Sequence, residues 1–387
     1  MFLLERLIGV GIYILLLILV CFLLLSKQAK ITKKVFFFYV LSLSMLAFLY
    51  VPYENADLYR TYEVVQRFRN YAFNKLLKQN VIGVESGIVN VFYWAIAKTG
   101  IPRLLPAITS FVCYSCIFYI IQKIAEKNRV SRKNIAIVLF FYMSTGTYIF
   151  VISGIRCMLG ISLLSFCFFR ESIEGKFSIF HIFLYLIAAL IHSYVAVLVA
   201  IRFLIPLLNF KRAWIHKIVY ACFLGIFVAV IPKYFGNYLS QIVGRAEGYI
   251  SGDIYSDKWD RIIAIIVLVL VVTVVLESQK QKTLATIQFV DFKNYVLVCA
   301  SIAVFYHYEF SIFHRTIVYV LPIMSLPLLA TVMQKKDEAR GRMKKSPVSS
   351  LYERPLTYHF VVMTVSGLVL LLSSFRGSFS ALKFFAF

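Results

Sequence analysis

Apolar runs of roughly 15 to 20 residues recur along nearly the whole chain, separated by short stretches rich in Lys and Arg. A helix of that length matches the hydrocarbon thickness of a bilayer. No water-soluble fold of 387 residues hides so many such runs in one core, since 61% of the residues are hydrophobic and only 15% are charged. The pattern predicts an all-α polytopic membrane protein, read as a single membrane domain over residues 1–387. About twelve spans are expected, starting near Leu7, Val35, Leu104, Asn134, Gly154, Ser178, Ser193, Ile215, Arg261, Asn294, Thr316 and Thr357. The first run, Leu7 to Leu25, follows Glu5 and Arg6 and ends without a small-residue cleavage site, so it reads as a retained span.

The net charge of +23 is a topological signal here, because no long soluble basic stretch exists to bind nucleic acid. Of the 41 Lys and Arg residues, 24 fall in one alternating set of loops: around Lys27 to Lys34, Lys123 to Lys133, Arg170 to Lys176, Lys211 to Lys217, Lys280 to Lys293, and in 334–356. The positive-inside rule assigns these loops to the cytoplasm, and both termini are then extracytoplasmic. Parity holds only if Glu85 to Lys98 does not cross. At about fourteen residues this segment is also too short to span, and an interfacial or re-entrant helix is predicted. The large outer loops are 52–103 and 232–260. Between Pro52 and Gly87 the first carries Arg60, Arg67, Arg69, Lys75 and Lys78 against Glu54, Asp57, Glu63 and Glu85. Cations kept on the side that usually lacks them point to an anionic partner such as a lipid phosphate, or else to a folded loop that escapes the bias.

Charges within apolar runs are costly, so each calls for an explanation. Arg156 lies two residues into the span that opens at Gly154, near the outer leaflet, where it either snorkels to headgroups or meets an anion. His192 interrupts the long apolar stretch from Ile179 to Leu208 and marks the turn of a helical hairpin, as a structural hydrogen-bonding residue or as a general base or phosphate ligand. The outer segment from His307 to Arg315 packs two imidazoles, Glu309 and a guanidinium into nine residues. A metal site from His307, Glu309 and His314 fits no ligand spacing, and the Cys113-x-x-Cys116 pair lacks the second pair a zinc site needs; no metal is expected. Arg315 can bind phosphate oxygens in bidentate fashion. Asp57 and Glu85 bracket most of the first outer loop, as a general base or as a cap and ion-pair partners.

Asp57-x-Tyr59-Arg60-x-Tyr62, Glu85-Ser86-Gly87 opening an apolar helix, Gly154-Ile155-Arg156, Ala188-Ala189-Leu190-Ile191-His192-Ser193 and Arg315-x-x-x-Tyr319 occur in this order. Together they resemble the EpsG and Wzy-like polysaccharide polymerase family between about Pro52 and Ala330. That family often has Pro after the Glu, where this chain has Ser86, and the last span lies beyond the resemblance. The resemblance implies a glycosyltransferase with a polytopic helical fold similar to the GT-C class, at the outer face of a bacterial cytoplasmic membrane. It implies transfer of glycan from undecaprenyl diphosphate to the terminal sugar hydroxyl of another lipid-linked unit, without a cofactor. Candidate catalytic residues are His192, Arg156, Arg315, Asp57 and Glu85. Candidate substrate-binding residues are Arg60, Arg67, Tyr59, Tyr62, His314, Glu309 and Tyr319. The implied partners are the undecaprenyl-diphosphate-linked oligosaccharide, membrane lipid, a chain-length regulator and a flippase, with no nucleic acid. A flippase of the same lipid-linked substrate and an O-antigen-type ligase remain alternatives, although no internal repeat of the kind that builds many transporters is visible.

Overall fold

The computed structural model describes residues 2–25, 32–52, 56–74, 87–128, 130–145, 147–172, 178–208, 258–279, 287–305 and 310–328, with isolated positions between them. The elements are all helical: α1 (Phe2–Leu25), α2 (Thr32–Leu49), α3 (Asp57–Phe68), α4 (Gly87–Thr99), α5 (Leu104–Asn128), α6 (Arg132–Ser144), α7 (Thr147–Ser153), α8 (Ile155–Ser172), α9 (Ile179–Ile191), α10 (Ser193–Leu208), α11 (Lys258–Gln279), α12 (Ile287–Phe305) and α13 (Phe310–His314). The last passes directly into a π-turn, Arg315–Val320, and on into helical residues 321–328. Most of 232–260, all of 334–356 and the expected spans near Ile215 and Thr357 lie outside the described residues.

Among the described residues, two helices are long and apolar enough to cross a bilayer: Ile8–Leu25 in α1 and Leu104–Lys127 in α5. Shorter apolar helices cover Ile179–Ile191, Ser193–Leu207, Ala264–Leu276 and Ile312–Leu328. Apolar faces point outward from several of them: Leu15, Ile18 and Phe22 on α1, Phe37 and Phe38 on α2, Ile179, Phe180 and Phe183 on α9, and Val269 on α11 are exposed. Helices that present large aliphatic and aromatic side chains to their surroundings while closing their own backbone hydrogen bonds suit lipid as solvent.

The core forms where α5 packs against α2 and α8, α1 against α6, and α8 against the α9–α10 pair. Buried tyrosines knit the first group. Tyr13 stacks on Tyr148 at 5.0 Å between ring centroids. The Tyr13 hydroxyl donates to the Met143 carbonyl at 2.9 Å, and Tyr148 to the Leu43 carbonyl at 2.9 Å. Met143 sits in the last turn of α6, whose carbonyls have no donor within the helix, so Tyr13 supplies one where α6 stops and α7 begins. Ser131 caps the other end of α6, accepting from the Asn134 amide at 3.3 Å.

A 13-residue helix forms where the short, non-crossing segment is expected. Gly100, with φ of 73°, closes it in the left-handed region that favours glycine, and its amide returns to the Ala97 carbonyl at 3.1 Å. The chain ahead of α4 is tied onto it: Trp94 Nε1 donates to the Tyr71 carbonyl at 2.8 Å and Lys98 Nζ to the Arg69 carbonyl at 2.9 Å. α3 buries Leu58 and Val65 on one face, and it packs on α4 and touches α7.

The stretch from Ile179 to Leu208 folds as two short helices meeting at His192, as its length demands. The 13 residues of α9 rise only about 20 Å, against roughly 30 Å of bilayer hydrocarbon. A second buried feature lies toward the other end of this hairpin. Arg202 of α10, with no solvent exposure, pairs with Glu171 of α8, which also accepts from the Tyr185 hydroxyl of α9 at 2.9 Å. The guanidinium lies 4.3 Å from the Phe168 ring centroid. Phe292 of α12 packs on that same ring at 4.9 Å, and fully buried Asp291 is its neighbour in sequence.

Candidate functional site

His192 links α9 to α10 in an extended conformation, with φ of −155° and ψ of 132°. It serves as the N-cap of α10. Its carbonyl accepts from the Ala196 amide at 3.1 Å, and its Nδ1 accepts from the Tyr194 amide at 3.2 Å. An imidazolium has no acceptor nitrogen, so this capping bond holds the ring neutral with its proton on Nε2. The hairpin apex therefore presents an N–H donor.

Two guanidiniums arrive from other helices. Arg156 lies in the first turn of α8, and Arg315 opens the π-turn. Both are within electrostatic reach of His192, and both also act on Cys157. Three candidates spread over 159 residues of chain, from 156 to 315, thus share one neighbourhood. Each is half-buried; Arg156 and His192 lie at breaks between helices, and Arg315 lies where a continuous helix widens into the π-turn. Ahead of Arg156 the chain bends at Gly154, between α7 and α8, with its amide 2.7 Å from the Phe150 carbonyl. A Cβ there would stand 3.1 Å from that oxygen, so the bend favours glycine.

Gly160 brings α8 and the hairpin together. It lies one turn after Arg156 on the same helix face, and Ala188 lies one turn before His192. A Cβ at 160 would meet Val195 Cγ2 at 2.8 Å and the Ala188 carbonyl at 3.2 Å. Small residues at such a crossing allow backbones to approach closely in a membrane. Gly160→Val is expected to separate the helices and cost about 1–3 kcal/mol, read as a lower Tm of the purified protein. A wild-type Tm would show that the crossing has room to spare.

The remaining candidates are distributed around this centre. His314 is buried, edge-on to Phe150 at 5.6 Å and to Tyr319 at 5.7 Å, while Phe150 and Tyr319 lie 4.4 Å apart. This aromatic group packs α7 against the π-turn, next to Arg315. On α3, Asp57 and Arg60 pair with each other at 3.0 Å with exposed side chains, a contact worth little by itself in water. Tyr59 and Arg67 are exposed, whereas Tyr62 is partly buried and feels the charge of Arg103. Glu85 and Glu309, with His307, lie outside the described residues. Among the described residues no three His, Cys, Asp or Glu side chains gather as a metal-holding group.

Sequence reasoning did not single out Arg103, Tyr194, Thr316 or the Glu171–Arg202 pair. Arg202 carried a readable signal, a charge inside an apolar run, but nothing in the spacing named its partner 31 positions away.

An all-helical architecture with exposed apolar helix faces is that of a membrane protein, and in it two guanidiniums and an imidazole share one neighbourhood. The EpsG family model matches residues 36–342, and the chain belongs to the EpsG family. That makes it a membrane protein of polysaccharide biosynthesis, in a family associated with glycosyltransferase-like polymerases. No curated protein and no solved structure matches the chain significantly.

Proposed function

We propose that this protein is a glycosyltransferase that polymerises lipid-linked oligosaccharide units at the outer face of the bacterial cytoplasmic membrane. The observation that carries the reading is the convergence of Arg156, His192 and Arg315 from three separate helices. In the reaction, the bond between the anomeric carbon of the donor glycan and the undecaprenyl diphosphate oxygen breaks. The acceptor sugar hydroxyl forms the new bond to that carbon, and its proton passes to the leaving diphosphate. Negative charge grows on the diphosphate as it departs, and donors fixed beforehand at that position lower the transition state more than the ground state. Arg156 and Arg315 supply the charge, and the polytopic helical fold of about twelve spans supplies the low-dielectric surroundings that strengthen it.

The role of His192 is sharpened by its capping bond. With Nδ1 occupied by the Tyr194 amide, the ring offers Nε2–H to a phosphate oxygen, which makes it a donor and not a base. Asp57 and Arg60, with Arg67 and Tyr59, lie on the exposed surface of α3 and are assigned to the incoming lipid-linked unit.

The test is deletion of the gene and complementation with wild type, His192→Ala or His192→Gln, reading glycan length and membrane abundance. Loss of one preorganised donor lowers the rate about a hundredfold or more in His192→Ala, whereas the side-chain amide of His192→Gln keeps polymer forming. Equal loss in both variants would return His192 to the role of base. Single lipid-linked units accumulating on the inner face of the membrane in the deletion strain, and not on the outer face, would replace the polymerase with a transporter.

A further inference from the structure

Arg315 and His192 are joined by a second, uncharged connection. Tyr194 lies two residues after His192, and Thr316 directly follows Arg315. Their hydroxyl oxygens are 2.6 Å apart across 122 positions of sequence. The direction of the bond follows from its neighbour. Thr316 Oγ1 donates its single proton to the Ile312 carbonyl at 2.7 Å, so Tyr194 must be the donor to Thr316. The chain Tyr194 O–H to Thr316 O–H to Ile312 C=O thus runs from the hairpin apex into the helix that carries Arg315. Thr316 is buried, at 1% exposure, so the link is shielded from competing water.

This link meets the backbone at an unusual place. Thr316 lies inside the π-turn, and its carbonyl accepts from the Leu321 amide, five residues on. A π-turn widens a helix locally and re-aims the side chains around it. The same segment carries Arg315 at its first position and Tyr319 further along, against Phe150. On the other partner, the Tyr194 amide donates to His192 Nδ1, so one residue reaches His192 with its backbone and the Arg315 helix with its side chain.

We infer that Tyr194 and Thr316 form a positioning latch that fixes Arg315 relative to His192, so that both address one lipid diphosphate. The inference rests on the polymerase reading of the site. Neither latch residue touches the diphosphate; each acts by holding a residue that does. Their removal therefore weakens recognition of the diphosphate without affecting recognition of the polyisoprenoid.

The test is binding of undecaprenyl diphosphate, and separately of undecaprenol, to the purified full chain in nanodiscs. Tyr194→Phe and Thr316→Val are each expected to weaken diphosphate binding about tenfold, leaving undecaprenol binding within about twofold of wild type. Thr316→Ser keeps the hydroxyl and stays near wild type. The double variant Tyr194→Phe/Thr316→Val is no weaker than either single one, because both remove the same link. Arg315→Ala separates the two levels of the argument. If it loses diphosphate affinity while Tyr194→Phe and Thr316→Val keep theirs, the latch is wrong and the site stands. If Arg315→Ala binds diphosphate like wild type, the site and the latch both fail. Parallel loss of both lipids in Tyr194→Phe and Thr316→Val would overturn the latch in favour of general loosening.

Discussion

Arg156→Ala and Arg315→Ala are each expected to abolish long-chain polymer while the protein still inserts into the membrane at normal levels. The expectation rests on position. Both guanidiniums act on His192 and Cys157, so the centre loses half of its positive charge when either is removed. Loss of a single preorganised donor at a developing negative charge lowers a rate about a hundredfold or more, and a charged donor in a water-poor site lies at the upper end. Arg→Lys at either position keeps the charge but loses the fork that grips two phosphate oxygens, and an intermediate chain length is the expected outcome. Gel analysis of surface glycan from complemented deletion cells, normalised to membrane-inserted protein, reads the result. Normal chain lengths from both alanine variants would remove the arginines from the chemistry and leave them as headgroup anchors.

The second large effect concerns the fold. Glu171→Ala removes the carboxylate that pairs with fully buried Arg202 beside the Phe168 ring, and Arg202→Ala removes the cation that pairs with Glu171 under Tyr185. Removing one member of a buried pair costs about 3–5 kcal/mol, a large share of the roughly 5–15 kcal/mol that holds a typical domain together. Both single variants are therefore expected at sharply reduced levels and with depressed Tm. The double variant Glu171→Met/Arg202→Met, which replaces the pair with apolar side chains of similar reach, is expected to recover much of the loss. Thermal unfolding in detergent discriminates between the two outcomes, since single variants as stable as wild type would show that the pair contributes nothing. Because the pair ties α8 to α9 and α10, the helices that carry Arg156 and flank His192, its loss also lowers polymerisation in whatever protein survives.

Much of the candidate centre was legible in the sequence for one physical reason. A guanidinium or an imidazole set into an apolar run is expensive, and it stands out at Arg156, His192 and Arg315 without knowledge of any neighbour. The all-helical class followed from the same runs, and the short helix Gly87–Thr99 from its length. Partnership was not legible. Tyr194 and Thr316 are ordinary residues in apolar helices, and their pairing joins two segments 122 positions apart in sequence. The π-turn was equally hidden, because the Arg315–Val320 segment has the composition of a regular helix. Length alone predicted the turn between the helices near Ser178 and Ser193, though not the shortness of the first. Apolar composition sets where a helix is welcome, while the extended backbone at His192 sets where these two stop.

That stop fixes a depth. Under the proposed orientation α9 enters from the cytoplasmic side, and its apex lies about 10 Å short of the far edge of the hydrocarbon. On the proposed polymerase reading, a lipid diphosphate drawn to that level would keep its tail in the leaflet while its sugars reach below the headgroups. The growing glycan would then be held by its reducing end beneath the surface while its length extends into the space outside. On that reading bilayer thickness becomes a variable of the reaction, since a thicker membrane sets the hairpin apex further below its surface.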